Sequence, residues 1–195
     1  MTVSQKLRNN LGDLLSNSYK PQQEASDNVK RKGYKYDNEL SNMETKIFVD
    51  EESGEPVVVH RGTVRVKDWV DDAKLALGFG KSTQRMKNAQ EINRKVEAKY
   101  NKPVHNVGHS LGGFLAENAG GKGNIITYNK GAGLGDLFTK KNRKRQLDIF
   151  ADDDLVSTIA RKSQKSNKEI VKNKHSSILK PIHYLNAHKV NNLFF

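Results

Sequence analysis

The chain has 195 residues, 35% of them hydrophobic, with 34 Lys and Arg against 22 Asp and Glu and a formal net charge of +12. It contains no cysteine, which excludes a disulfide framework, a thiolate metal site and a thiol nucleophile and suits a reducing compartment. Length and apolar content suit one domain over residues 1–195, able to bury roughly 70% of the surface its unfolded chain exposes, while the charge excess points to an anionic partner without naming it.

The opening stretch MTVSQKLRNNLGDLL lacks the continuous apolar core of a secretory signal, and no later stretch approaches the ~20 apolar residues of a spanning helix. The expectation is a soluble protein made without a signal peptide, intracellular, with at most a peripheral association with membranes. Val3, Leu7, Leu11, Leu14 and Leu15 recur at helical spacing and predict an opening helix. Residues 16–40 are polar, with Pro21 and Gly33 as breakers. They read as a loop holding at most one short helix and no functional residue, so 1–40 is an N-terminal helix followed by a polar loop.

Lys46–Asp50 and the apolar run Val57–His60 read as two strands joined through the turn signal EESGEP. Helical patterns follow over Trp69–Leu77 and Thr83–Tyr100, the second with an apolar stripe of Met86, Ala89, Ile92, Val96 and Tyr100. Asn101-Lys102-Pro103 ends it. Then come a strand at Val104–Val107, a helix at Leu111–Asn118, and strands at Asn124–Tyr128 and Gln146–Phe150. Strands alternating with helices predict an α/β fold with a mostly parallel central sheet flanked by helices. The lysine-rich section 139–174 reads as a basic insertion or a helical section.

Residues 108–113 read GHSLGG, a serine between glycines after a strand and before a helix. A nucleophile elbow requires such glycines, because the strand-to-helix turn is so sharp that Cβ atoms would collide. Gly108 and Gly112 meet that requirement, and Gly113 would let the helix pack closely. Ser110 is then the nucleophile, and the Leu111 amide, at a helix N-terminus, an oxyanion donor. Serine requires a histidine base oriented by a carboxylate, and in this architecture the order along the chain is Ser, then Asp or Glu, then His. Of the run Asp152, Asp153 and Asp154 after a predicted strand, Asp154 is the choice. Of the downstream histidines His175, His183 and His188, His188 is favoured as base and His183 is the reserve. His60, His105 and His109 precede the serine, and His109 reads as support for the loop.

These blocks resemble the fungal-type lipases (lipase class 3) of the α/β-hydrolase fold, over about residues 35–195. VVVHRGTVRVKDWVDD is similar to that family's strand and Arg-Gly-Ser/Thr turn. The likeness makes Arg61 and Gly62 motif residues and carries the second oxyanion-hole role to Thr63, through its amide and its hydroxyl. VHNVGHSLGGFLA looks like the nucleophile block. LDIFADDDLVS resembles the aspartate block and selects Asp154, and AHKVNNLFF looks like the histidine block and selects His188. The resemblance implies hydrolysis of carboxylic, lipid or phospholipid acyl esters by a Ser110-Asp154-His188 triad, without metal or organic cofactor. The chain is shorter than the secreted lipases and lacks their cysteines. Its basic section, KKNRKR at 140–145 and RKSQKSNKEIVKNK at 161–174, offers a surface for anionic lipid headgroups, with nucleic acid as the second candidate. The rival class is a catalytically inactive hydrolase-fold protein that binds nucleic acid or anionic surfaces through this section.

Overall fold

A computed structural model describes residues 3–62, 84–130, 144–151 and 167–171. In chain order these hold helices α1 (Gln5–Asn9), α2 (Leu11–Asn17) and α3 (Gln22–Lys30) and strands β1 (Tyr34–Tyr36), β2 (Thr45–Asp50) and β3 (Pro56–His60). Helix α4 (Gln84–Tyr100), strand β4 (His105–His109), helix α5 (Leu111–Asn118) and strands β5 (Ile125–Tyr128), β6 (Gln146–Ala151) and β7 (Asn167–Val171) follow. The strands form one sheet in sequence order. The two pairings from β1 to β3 are antiparallel, and every pairing from β3 to β7 is parallel. This is the mostly parallel, helix-flanked sheet that the sequence predicts.

Three local readings change. The single opening helix is two helices, because Asn10 (φ −101°, ψ 6°) leaves the helical region and its side-chain amide donates to the Lys6 carbonyl at 2.9 Å, competing with continuation. The apolar spacing survives the break: Leu7, Leu11, Leu14 and Leu15 are all buried. The polar stretch 16–40 holds the anticipated short helix, α3, but also β1, which at three residues is too short to show a period. Within the section read as basic insertion or helix, Asn167–Val171 is a strand that pairs in parallel with β6. The helix predicted over Trp69–Leu77 lies outside the described residues.

The middle of the sheet is buried on both faces, as parallel sheets are: β2, β3, β4 and β6 have no exposed position, whereas Lys35 of β1 and Asn167, Lys168 and Ile170 of β7, on the edge strands, are exposed. Alternation along each strand divides the core. Val57, Val59, Val107, Ile126, Tyr128, Leu147 and Ile149 pack under the leucines of α1 and α2 and Ala25 and Val29 of α3. Ile47, Val49 and Val58 pack against Val96 of α4, and Met86 and Ala89 of α4 meet Phe114 and Leu115 of α5. At the β2–β3 hairpin, Asp50 Oδ1 accepts from the amides of Glu52 and Ser53, and Gly54 supplies the left-handed residue (φ 70°). Among the described residues no helix is long and apolar enough to cross a membrane.

Candidate active site

Ser110 stands between the end of β4 and the start of α5, with φ 55° and ψ −124°. A residue with a Cβ is costly there, by about 1–3 kcal/mol, and persists only where its surroundings over-determine it. They do so here: the Ser110 amide donates to the Tyr128 carbonyl at 3.1 Å, and its carbonyl accepts from the amides of Gly113 at 2.9 Å and Phe114 at 3.3 Å. Leu111 is the first helical residue, so its amide has no partner within the helix, and it makes no hydrogen bond to another described residue. That leaves an N–H one residue from the serine, at the positive end of the helix dipole.

The flanking glycines are required for space, since none of the three has a left-handed φ. A Cβ on Gly108 would lie 2.0 Å from the Gly112 carbonyl oxygen, and one on Gly112 would lie 2.0 Å from that of His60. A Cβ on Gly113 would come within 2.7 Å of Lys130 Cβ. His60 and Gly108 are register partners across β3 and β4, so the first turn of α5 rests directly on the backbone of both strands.

The Arg61-Gly62 turn that ends β3 lies against the elbow. A Cβ on Gly62 would be 2.8 Å from the His109 carbonyl oxygen, 2.9 Å from the Tyr19 hydroxyl and 3.3 Å from Ser110 Cβ. Arg61 is fixed through its backbone: its amide donates to Glu44, and its carbonyl accepts from Arg85 Nη2 at 2.6 Å. Gly62 donates its amide to the Tyr19 hydroxyl at 3.0 Å, and that hydroxyl is also 3.0 Å from His109 Nδ1. His109 stacks on Tyr128, its register partner on β5, with ring centroids 5.7 Å apart. His109 thus stands between Tyr19 and Tyr128, beside the elbow. Tyr19, from the polar stretch to which the sequence assigns no function, is an addition.

The other described histidines hold structure. His60 is fully buried, with Nε2 at 3.1 Å from Asn106 Oδ1 and Nδ1 at 3.3 Å from Thr45 Oγ1. Burial lowers its pKa to about 4, so it is neutral near pH 7. His105 Nδ1 accepts from the Asn124 amide, and its Nε2 lies 3.1 Å from Glu55. Behind α5 sits a buried charge cluster that the sequence reading does not contain. Lys130 Nζ lies 3.3 Å from Glu117 and 3.0 Å from Asp148, and Asp148 also accepts from Thr127 Oγ1 at 2.6 Å and Gln146 Nε2 at 2.8 Å. It joins α5 to β6.

The structure therefore brings together Ser110, Leu111, Gly108, His109, Gly112, Gly113, Arg61 and Gly62. Thr63, Asp154, His183 and His188 lie outside the described residues, as do Asp152, Asp153 and most of the basic section. β6 ends at Ala151, at the same sheet edge as Ser110 and two strands away, a separation of about 10 Å.

Several comparisons bear on this arrangement. The Lip2 lipase from Yarrowia lipolytica aligns with a TM-score of 0.57 at 15% identity, over 92% of this chain and 83% of that one. A fungal lipase–inhibitor complex aligns at 0.48 and 14% identity, over 80% and 74% of the two chains. The native Rhizomucor miehei lipase–propeptide complex aligns at 0.45 and 14%, over 80% and 64%. No curated protein sequence matches the chain significantly. The likeness to Lip2 shows the α/β-hydrolase fold of the lipases. A family model described as the Tle-like phospholipase domain, of the type Phospholipase-like, matches residues 16–161. With Ser110 on its elbow inside that span, the chain belongs to the Tle-like phospholipase domain family.

Proposed function

We propose that this protein is a serine hydrolase that cleaves carboxylic acyl esters of lipids, phospholipids among them, through an acyl-enzyme. The observation that carries this reading is the Ser110 elbow: a nucleophilic side chain held in a strained backbone conformation beside the Leu111 amide, which has no partner among the described residues. Ser110 Oγ attacks the ester carbonyl while His188, with His183 as reserve, takes its proton. Asp154 holds the imidazole tautomer and stabilises its cation. The oxyanion is bound by the amides of Leu111 and Thr63, each donor contributing about 2.7–4 kcal/mol to the transition state. The protonated histidine gives its proton to the departing alcohol. It then activates water, which releases the acid and restores Ser110. This chemistry calls for no metal or organic cofactor.

Two features support the assignments beyond the described residues. Gly62, in contact with the elbow, immediately precedes Thr63, and Asp154 follows three positions after β6 ends at the same sheet edge. Membership of a family described as phospholipase points to phospholipid esters. The lysines and arginines of 140–174 would hold the enzyme on an anionic bilayer, at roughly 1 kcal/mol per basic residue near the surface.

The test is labelling by a fluorophosphonate with mapping of the modified peptide, alongside hydrolysis of a medium-chain p-nitrophenyl ester. Labelling at Ser110, and loss of at least about 10⁴-fold of the hydrolysis in Ser110→Ala, are expected. Hydrolysis unchanged in that variant refutes the mechanism. No labelling, together with salt-sensitive nucleic acid binding, favours a non-catalytic binding protein.

A further inference from the structure

The turn that follows α2 reaches the candidate site through Tyr19. Leu11, Leu14 and Leu15 of α2 are packed into the core with Val107 of β4. Ser18 closes α2 by donating its hydroxyl to the Leu15 carbonyl at 2.7 Å, and the Tyr19 amide donates to Ser16 at 3.1 Å. The Tyr19 backbone is therefore fixed by the same packing that fixes β4, the strand leading to the nucleophile.

From there the contacts close a ring around Ser110. The Tyr19 hydroxyl accepts from the Gly62 amide at 3.0 Å and meets His109 Nδ1 at 3.0 Å. His109 stacks on Tyr128, the Tyr128 carbonyl accepts the Ser110 amide, and Gly62 returns to Ser110 with a Cβ site 3.3 Å from Ser110 Cβ. A phenol has one proton to give and two lone pairs to receive with. With the Gly62 N–H on one lone pair, the hydroxyl still has its proton and a second lone pair for Nδ1, so the 3.0 Å contact forms with either His109 tautomer. Burial pushes the Tyr19 phenol up, so it keeps that proton across the range in which an ester hydrolase works.

We propose that Tyr19 is a positioning residue of the ester-hydrolysing site: its hydroxyl ties the Gly62 end of β3 to the elbow and so holds the oxyanion-binding side against Ser110. This rests on the hydrolase reading above, in which Thr63, the residue after Gly62, is an oxyanion donor. An oxyanion donor acts by being in place before charge develops, and displacement by about 1 Å can lower a rate by on the order of 10²-fold. Tyr19→Phe keeps the ring and its packing but leaves the Gly62 N–H without an acceptor.

The experiment compares wild type with Tyr19→Phe by kcat and KM on the p-nitrophenyl ester, the rate of Ser110 phosphonylation, and Tm. The expected result is kcat lower by about 10- to 100-fold, KM within about twofold, phosphonylation slowed in parallel and Tm lower by about 2–12 °C, the consequence of one unpaired buried N–H at about 1–3 kcal/mol. A purely structural role lowers Tm and spares kcat of the folded protein. That outcome, or kcat within about twofold of wild type, overturns the proposal while leaving the hydrolase reading intact, whereas an inactive wild type removes both. Hydrogen exchange at the Gly62 amide of the wild type provides a readout independent of the variant's folding. Protection supports the tie, and exchange at the rate of an open loop overturns it.

Discussion

Replacing Gly108 by alanine adds one methyl group where β4 meets α5. Because Gly108 has no left-handed φ, the substitution carries no conformational penalty and its effect is steric. The new Cβ would lie 2.0 Å from the Gly112 oxygen, 2.2 Å from the Gly112 carbonyl carbon and 2.6 Å from the Gly113 nitrogen. All three are backbone atoms, so none can rotate aside. Restoring ordinary contact requires α5 to retreat by roughly 1.4 Å. Overpacking of this kind costs about 1–3 kcal/mol, which lowers Tm by about 2–12 °C in a protein of this size. The retreat moves the first turn of α5 and the Leu111 amide with it, and a misplacement of about 1 Å lowers ester hydrolysis on the order of 10²-fold. Scanning calorimetry and kcat on a p-nitrophenyl ester measure the two effects. Gly120→Ala is the control: its site has a left-handed φ of 93° with nothing within 4 Å, so it bears a backbone cost of about 1–2 kcal/mol and spares kcat. A Gly108→Ala protein with Tm within about 1 °C and kcat within about twofold of wild type would refute the close approach of helix and strand.

Two further outcomes test the core. His60 has its pKa lowered by burial from 6.5 to about 4, so between those values the unfolded chain binds more protons than the folded one. Its contribution is complete above pH 6.5 and falls by about 1.4 kcal/mol per pH unit on acidification, about 3 kcal/mol in all. Urea titrations at several pH values should show this component in wild type and not in His60→Gln; parallel profiles refute it. Lys130→Met leaves Glu117 and Asp148 buried without their shared cation and should cost about 3–5 kcal/mol in urea unfolding. A loss below about 1 kcal/mol means that the cluster does not hold α5 to β6.

What could be read ahead of the structure was whatever repeats at short range. The stripe Met86, Ala89 and Val96 lies on α4 as its spacing predicts, and the uninterrupted run Val57-Val58-Val59 is a strand with neighbours on both faces. Both follow from a period that a few neighbouring residues express. β1 and β7 show where this ends. Tyr34-Lys35-Tyr36 is too short for a period, and Asn167-Lys168-Glu169-Ile170-Val171 is largely polar, so pairing with β2 and β6 makes them strands where local preference does not.

The elbow divides in the same way. GHSLGG by itself determines that a serine can sit on a sharp strand-to-helix turn, because the conditions for that turn, small residues on either side of the serine, are local. That Gly108 and Gly112 serve close approach, and not backbone freedom, was decided only by where His60 and α5 come to rest. Tyr19 left no local signal, since its partners are 43 and 90 positions away along the chain. The Lys130 cluster likewise joins residues 13 and 18 positions apart on separate elements. Such contacts depend on the path of the chain through the whole sheet, and only burial, which makes each polar partner obligatory, selects them.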